Sequence, residues 1–343
     1  MKKVAIILAL VLALGLLAAC AQDPEPPPVT DGERRLPGEG EVYVVIGSLF
    51  QLEFFDALKA GISDAAAEIG ATWYYAGPQE WVPDQISQAI DQAVANRVTG
   101  IVLHGQSVET GAAVDNAIAA GIPVIIVNTD IPSNRLSFLG CNPYNAGHDM
   151  GAHMAQLLQG QTGAVIVSTA ISAGQPSALA NLAGARDALA ELAPHLRVIE
   201  VDDTADAMIA ATNIGAALQA NPDVIGIIGQ QAYTAVGAAT AVREAGRMGQ
   251  ITIIGRDRDI PTLELIRNGE VAAAYAQNTY VEAYIAIKWL NDYVNGRLRV
   301  ISDYLGGGVN PLPPLVDSGS IVITADNVDQ FEERYTYTVT ARN

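Results

Sequence analysis

Short apolar runs alternate along this chain with longer segments whose apolar residues recur every three or four positions. The short runs read as strands buried on both faces of a sheet, and the longer segments as amphipathic helices. In the first half this pattern predicts strands at 42–46, 72–75, 100–103 and 124–127. Helices fall between them at 53–69, 83–96 and 109–120. Phe54, Leu58, Ile62 and Ala65 share one face of the first, and Pro83 opens the second, where a missing N–H costs nothing. The second half predicts helices at 144–158, 177–192, 206–220 and 234–245, with strands at 164–167, 197–201, 224–228 and 251–254. A strand at 271–275, a helix at 280–293, a Gly/Pro-rich passage at 306–314 and a strand at 321–323 complete the series.

Alternation of this kind implies an α/β fold with parallel sheets and helices on both faces. The halves also echo each other: residues 98–105 match 223–230 in pattern, an apolar strand ending on polar side chains. Two similar lobes follow. In parallel α/β sheets, ligands sit beyond the carboxyl ends of the strands. The run Val124–Val127 closes on Asn128, Thr129 and Asp130, and the motif recurs. His104 follows 101–103, Gln230 and Gln231 follow 224–228, Asp257 follows 251–254, and Gln277 and Asn278 follow 272–275. Amides and carboxylates each hold neighbouring hydroxyls by paired hydrogen bonds, which suits a polyhydroxylated ligand. Phe50, Phe54, Phe55, Trp81, Tyr144 and Tyr233 are available to cover its apolar faces. Each residue alone also has a plainer reading, since Asn and Asp cap turns after strands and a Phe pair at a helix start packs into a core. The recurrence in both halves favours a site.

The N-terminus changes the picture of where this happens. Lys2 and Lys3 precede an apolar run at 4–17, which ends in Leu17-Ala-Ala-Cys20. That order fits a secretory signal and is similar to the bacterial lipobox, in which the cysteine, here Cys20, is lipidated. A single membrane anchor is the other reading, although the run falls short of the roughly 20 apolar residues a bilayer needs. Residues 1–20 are therefore expected to be a signal peptide. Residues 21–40, with Pro24, Pro26, Pro27, Pro28 and Pro37, read as a tether. Cys141 is the one remaining cysteine, so the mature chain has no intrachain disulfide. A formal net charge of −18 argues against nucleic acid as a partner. Enzyme signatures are absent: there is no phosphate loop and no Gly-x-Gly-x-x-Gly after a strand. Residues 105–109 start like a nucleophile elbow but lack its closing glycine. His104, His148, His153 and His195 show no metal-ligand spacing. No catalytic residue, metal or cofactor is expected.

From about residue 42 to residue 327 the chain resembles the periplasmic binding proteins of ribose type, the sugar receptors of ABC importers. Glu53-Phe-Phe-x-Ala-Leu-Lys-Ala-Gly61 is similar to the family's aromatic helix start. Residues 119–130 and 138–147 resemble its central strand and first crossover. Gly174-Gln-Pro-Ser177 and Gly184-Ala-Arg186 resemble the second lobe's ligand loop and helix. Residues 220–226, Ile254-Gly-Arg-Asp257 and Ala274-Tyr-Ala-Gln277 continue the match. The resemblance implies two Rossmann-like lobes joined by a three-strand hinge, with a small sugar or polyol held in the cleft. Lobes would comprise 41–142 with 278–312 and 143–277 with 313–343, with crossovers near 140–144, 275–279 and 306–314. Ligand contacts would include Phe54, Phe55, Asn128, Asp257 and Gln277, with Ser177 in the second-lobe loop and Gln231 where a family asparagine reaches the ligand. Trp81, His104 and Asp130 complete the expected set. Asp257, flanked by Arg256 and Arg258, is expected to be ionised. Thr129 and Leu179 stand where the family carries arginines, and Leu52 where it carries asparagine. Losing guanidinium clamps argues against ribose itself. Residues 77–80 and 129–132 are closer to the branch of rhamnose and autoinducer-2 receptors. The implied protein is a monomeric, lipid-anchored solute receptor of an ABC permease that closes on its ligand by hinge motion. A sensor reporting the same ligand to a membrane kinase or chemoreceptor is the alternative.

Overall fold

The computed structural model describes residues 36–50, 53–80, 82–172, 174, 176–204, 206–331 and 335–340. The expected signal peptide with Cys20, most of the tether, and Trp81 lie outside the described residues. The first half runs β1 (Val42–Ile46), a 3-10 turn (Glu53–Phe55), α1 (Asp56–Ile69), β2 (Thr72–Ala76), α2 (Pro83–Ala95) and β3 (Gly100–His104). It continues through α3 (Gly111–Ala119), β4 (Val124–Val127) and β5 (Ser137–Gly140). The second half runs α4 (Pro143–Leu157), β6 (Ala164–Thr169), α5 (Pro176–Leu192), β7 (Arg197–Asp202), α6 (Ala207–Ala220) and β8 (Val224–Gly229). It continues through α7 (Thr234–Glu244), β9 (Thr252–Arg256), α8 (Ile260–Arg267) and β10 (Ala273–Gln277). The chain then returns through α9 (Thr279–Val294), α10 (Tyr304–Gly307), β11 (Leu315–Asp317) and β12 (Ser320–Thr324).

These strands form two six-stranded sheets, ordered β11-β5-β4-β3-β1-β2 and β12-β10-β9-β8-β6-β7. The two orders are the same topology repeated, and the echoing segments 98–105 and 223–230 supply β3 and β8, which hold equivalent places. All neighbours pair in parallel except β10 with β12. The predicted α/β architecture with its two lobes is therefore the observed one. Each sheet is covered on both faces, which is why β1, β3 and β4 could be all apolar. Leu58 and Ile62 of α1 pack with Ile287 and Leu290 of α9 on one face of the first sheet. Ile86, Ile90 and Val114 from α2 and α3 cover the other. In the second sheet α6 and α7 cover one face, and α4 and α5 the other. Each such side chain contributes about 1.5–3 kcal/mol when fully buried. The α4–α5 contact is unusually close. A Cβ at Gly147 would lie 2.0 Å from the carbonyl oxygen of Asn181, and one at Gly184 2.0 Å from that of Tyr144. Only glycine lets these helices approach so far.

Three crossovers join the lobes, and the third departs from expectation. The first lies at Cys141 and Asn142 and the second at Asn278. The third falls at Ser318 and Gly319, beyond the Gly/Pro-rich passage, because Leu315–Asp317 first pairs with β5 as an edge strand of the first sheet. Short strands next to glycines and prolines carry too little periodicity to be read. Polar bonds tie the crossovers together. Asp317 accepts from the backbone N–H of Asn142 at 2.9 Å and from the Asn145 amide at 2.7 Å. Ser318 donates to the buried Glu282 at 2.7 Å, and the buried Cys141 thiol lies 3.3 Å from the Ser320 hydroxyl.

Residues 335–340 also differ from expectation, which put them with the second lobe: they lie along the first. Thr340 exchanges bonds with Trp73 of β2, its N–H donating at 3.2 Å and its hydroxyl accepting at 2.9 Å. Tyr335 stacks on Tyr280 of α9, with centroids 5.9 Å apart. Tyr337 lies against Trp73 at 6.4 Å and under the Lys59 ammonium at 5.3 Å. From the second lobe, the Arg258 guanidinium sits 4.6 Å over the Tyr335 ring. Aromatic stacking against an aromatic-rich surface places this segment, and no periodic pattern in it announces where it goes.

Candidate ligand site

The polar strand ends gather where the two sheets face each other across the crossovers. At the end of β4 the chain leaves the strand through Asn128 in the left-handed region, with φ of 68°. Its N–H donates to Leu139 of β5 at 2.9 Å. Asp257 does the same after β9, with φ of 63° and its N–H donating to Tyr275 of β10 at 3.0 Å. These are equivalent positions of the repeated topology. Asn and Asp are the residues besides glycine that tolerate this conformation. Thr204 after β7 and Tyr233 after β8 are also left-handed, so four of the five such non-glycine residues described follow strand ends. Strained backbone of this kind gathers where function holds it.

A hydrogen-bonded chain crosses from the first lobe to the second. Nε2 of His104 donates to Oδ1 of Asn128 at 3.0 Å, and the Asn128 amide donates in turn to Oε1 of Gln277 at the end of β10. The Thr129 hydroxyl also donates to Asn128, at 3.2 Å. This direction leaves the Gln277 amide nitrogen without a hydrogen-bond partner among the described residues. Burial pushes the His104 imidazole down to about 4 against the opposing bond to Asn128, so at neutral pH it is an uncharged link. Phe55 is 1% exposed and sits edge-on to His104 at 5.0 Å. Expected on the ligand, Phe55 is instead part of the first-lobe core and props the histidine. Phe54 is only partly buried, 6.0 Å from the same ring, and is the exposed member of the pair.

Other expected residues divide similarly. Asp130 is bound to Arg135 of its own turn, whose Nε donates to it at 2.7 Å, so its carboxylate is already occupied. Gln231 donates to the Thr169 hydroxyl at 3.0 Å, next to the end of β6. Ser177 is half-buried in the first turn of α5. Asp257 keeps its carboxylate without a hydrogen-bond partner among the described residues. Burial raises this carboxyl above the usual range against the opposing pull of Arg256, so the flanking arginines do not lower it as expected. Arg258 turns away to Tyr335. Nor does Asp257 cap the following helix: Asp259 does, accepting from the N–H of Thr262 at 3.0 Å and its hydroxyl at 2.9 Å.

Arg256 and Asn181 were not expected near the site, and Gln230, noted only as a strand end, joins them. Arg256 donates to Oδ1 of Asn181 at 3.1 Å, and Gln230 donates to the Asn181 carbonyl at 2.8 Å. Arg256 adjoins Asp257 in sequence, which was the available signal; Asn181, mid-helix among alanines, carried none. An open groove of about 720 Å³ lies elsewhere, beside α4 and β12, lined by Asp149, His153, Gln156, Tyr275 and Val322. None of the gathered strand ends except Tyr275 borders it, so geometry rather than volume marks the site. Among the described residues no cluster of His, Cys, Asp and Glu side chains could hold a metal, and no helix is long and apolar enough to cross a membrane.

Two repeated, mostly parallel α/β lobes joined by three crossovers, with polar strand ends facing one another, define a type I periplasmic binding protein. The chain belongs to that family: the profile of the periplasmic binding protein domain matches residues 43–298. A sugar ABC transporter's sugar-binding protein from Bacillus halodurans is similar in structure, with a TM-score of 0.79 and 30% identity over 85% of this chain and 100% of that one. An arabinose binding protein from Geobacillus stearothermophilus has a TM-score of 0.78 at 27% identity, covering 85% and 99%. The D-allose-binding periplasmic protein of Escherichia coli is 26% identical over 249 residues, 69% of this chain and 79% of its own.

Proposed function

We propose that this protein is the extracytoplasmic substrate-binding component of an ABC importer, capturing a small sugar or sugar-like polyol between its lobes. The carrying observation is the chain from His104 through Asn128 to Gln277, which joins hydroxyl-recognising amides of both lobes at one point. Phe54 offers an apolar face on the first lobe, and Asp257, Ser177 and Gln231 offer polar groups on the second. The first lobe would comprise β1–β5, α9 and β11, and the second β6–β10 and β12. Similar proteins named for arabinose and allose support a sugar and differ over which one. A thermal-shift screen over pentoses, hexoses, deoxysugars and polyols tests this. A true ligand at 100 times its dissociation constant adds about 2.7 kcal/mol of stability. A flat response to every sugar and polyol would remove the reading.

Membrane attachment belongs to the same proposal and rests on Leu17-Ala-Ala-Cys20 and the proline-rich stretch after it. Cys20→Ser is expected to leave the exported protein soluble or unprocessed. Normal processing and membrane attachment of that variant, followed by fractionation, would count against lipidation.

A further inference from the structure

Arg256 is 9% exposed, yet its five N–H donors have a single protein partner among the described residues, Oδ1 of Asn181 at 3.1 Å. No carboxylate among those residues lies within ion-pair distance of it. Asn181 cannot move to serve it better, because the close α4–α5 approach pins its backbone against Gly147. The guanidinium lies on the sheet face of Ile254 and is paired in register with Tyr275. Arg256 closes β9 directly before Asp257. Its remaining guanidinium nitrogens keep some accessible surface, so a ligand can reach them. Beside Arg256 stands Asp257, an acceptor equally short of partners.

We propose that Arg256 and Asp257 form a donor–acceptor pair that reads two adjacent hydroxyls of an uncharged sugar, making Arg256 a specificity-determining residue. One hydroxyl oxygen accepts from the guanidinium, and its neighbour donates to the carboxylate. The pair supplies from β9 a guanidinium that Thr129 and Leu179 do not. Arg256 alone would suit a sugar acid equally well; Asp257 beside it adds an acceptor, which a sugar hydroxyl satisfies and an ionised carboxylate, having no proton to give, does not. This inference rests on the sugar-binding reading above.

Calorimetric titration of the full chain with L-arabinose, D-galactose, D-allose, D-ribose and D-galacturonate, together with melting of the unliganded protein, tests it. Binding of any neutral sugar by the wild type addresses the sugar reading; the variants address Arg256. For the tightest neutral sugar, Arg256→Met is expected to lose 30-fold or more in affinity, on the order of one or two charge-assisted bonds. Arg256→Lys, which keeps the charge and loses the fork, should recover part of that loss. The unliganded melting temperature should change little in Arg256→Met, since methionine keeps the apolar stem and gives up one bond, to Asn181. Unchanged affinity in Arg256→Met, or tighter wild-type binding of D-galacturonate than of any neutral sugar, would overturn the proposal. A lowered melting temperature with only a few-fold loss in affinity would overturn it too, assigning Arg256 to the support of α5. Absence of binding by the wild type to every sugar would instead remove the sugar reading itself.

Discussion

Asp257 shows how one residue's role follows from what its neighbours already do. Asp259 caps α8 and Arg258 is engaged by Tyr335, and Asp257, at a left-handed strand end, has a carboxyl with no hydrogen-bond partner among the described residues. Asp257→Ala should weaken sugar binding by roughly 3 kcal/mol or more, over 100-fold, with two hydroxyl bonds lost. Its melting point should not fall, because no cap is lost; titration calorimetry with full wild-type affinity in the variant would take Asp257 out of the site. Glu282 makes a second residue-level case. It is 1% exposed, and burial pushes its carboxyl up to about 7, opposed by the bonds from Ser318 and the Asn128 backbone and aided by Asp317. A raised carboxyl holds its proton more tightly folded than unfolded. Its contribution to stability is therefore full below about 4.5 and is lost as pH rises through 7. Glu282→Gln should be more stable than wild type at pH 8 by up to about 3 kcal/mol, and the difference should vanish near pH 4.5. Denaturant unfolding at the two pH values decides this; a difference of equal size at both would refute the assignment.

Among the elements, the segment 335–340 has the clearest testable consequence. It adds a backbone partner to Trp73 on the edge strand β2 and an aromatic face to Tyr280, while Arg258 reaches it from the other lobe. Edge strands covered in this way are protected from pairing with other chains. Ending the chain after Phe331 should cost about 1–3 kcal/mol, the scale of two aromatic contacts. It should also raise the tendency to self-associate. Unfolding curves and light scattering on the shortened chain check both, and an unchanged curve would show that the segment only rests on the surface. The 3-10 turn before α1 matters for a different reason: it presents Phe54 while burying Phe55.

For the whole molecule, the three crossovers at 141–142, 278 and 318–319 set what motion is available. Asp317 and Glu282 bond across them, so the crossovers are tied to one another and the lobes are expected to rotate as two bodies about that knot. Saturating ligand should therefore reduce the radius of gyration without changing helix content. Small-angle scattering identical with and without a sugar proven to bind would count against hinge closure.

Periodicity alone determined most of the architecture. Continuous apolar runs such as Val124–Val127 are stable only when covered on both faces, and alternation with amphipathic helices leaves the parallel α/β sheet as the solution. The repeat of 98–105 at 223–230 likewise announced β3 and β8, and the polar residues after each strand announced the strand ends proposed to hold the ligand. Tertiary structure decided what local pattern does not encode. β5 and β11 are strands because a neighbouring strand supplies their hydrogen bonds, not because of their own composition. Phe54 and Phe55 have the same chemistry, and only the turn that carries them separates a fully buried residue from a partly buried one. Asp130 and Asp257 look alike in sequence, yet Arg135 occupies the first and nothing described occupies the second. Arg256 and Asn181 are 75 positions apart, and their pairing depends on two helices meeting over glycine. Strands and helices are written locally because they depend on neighbours in the chain; a site depends on which side chains are already satisfied, and that is settled only in the folded protein.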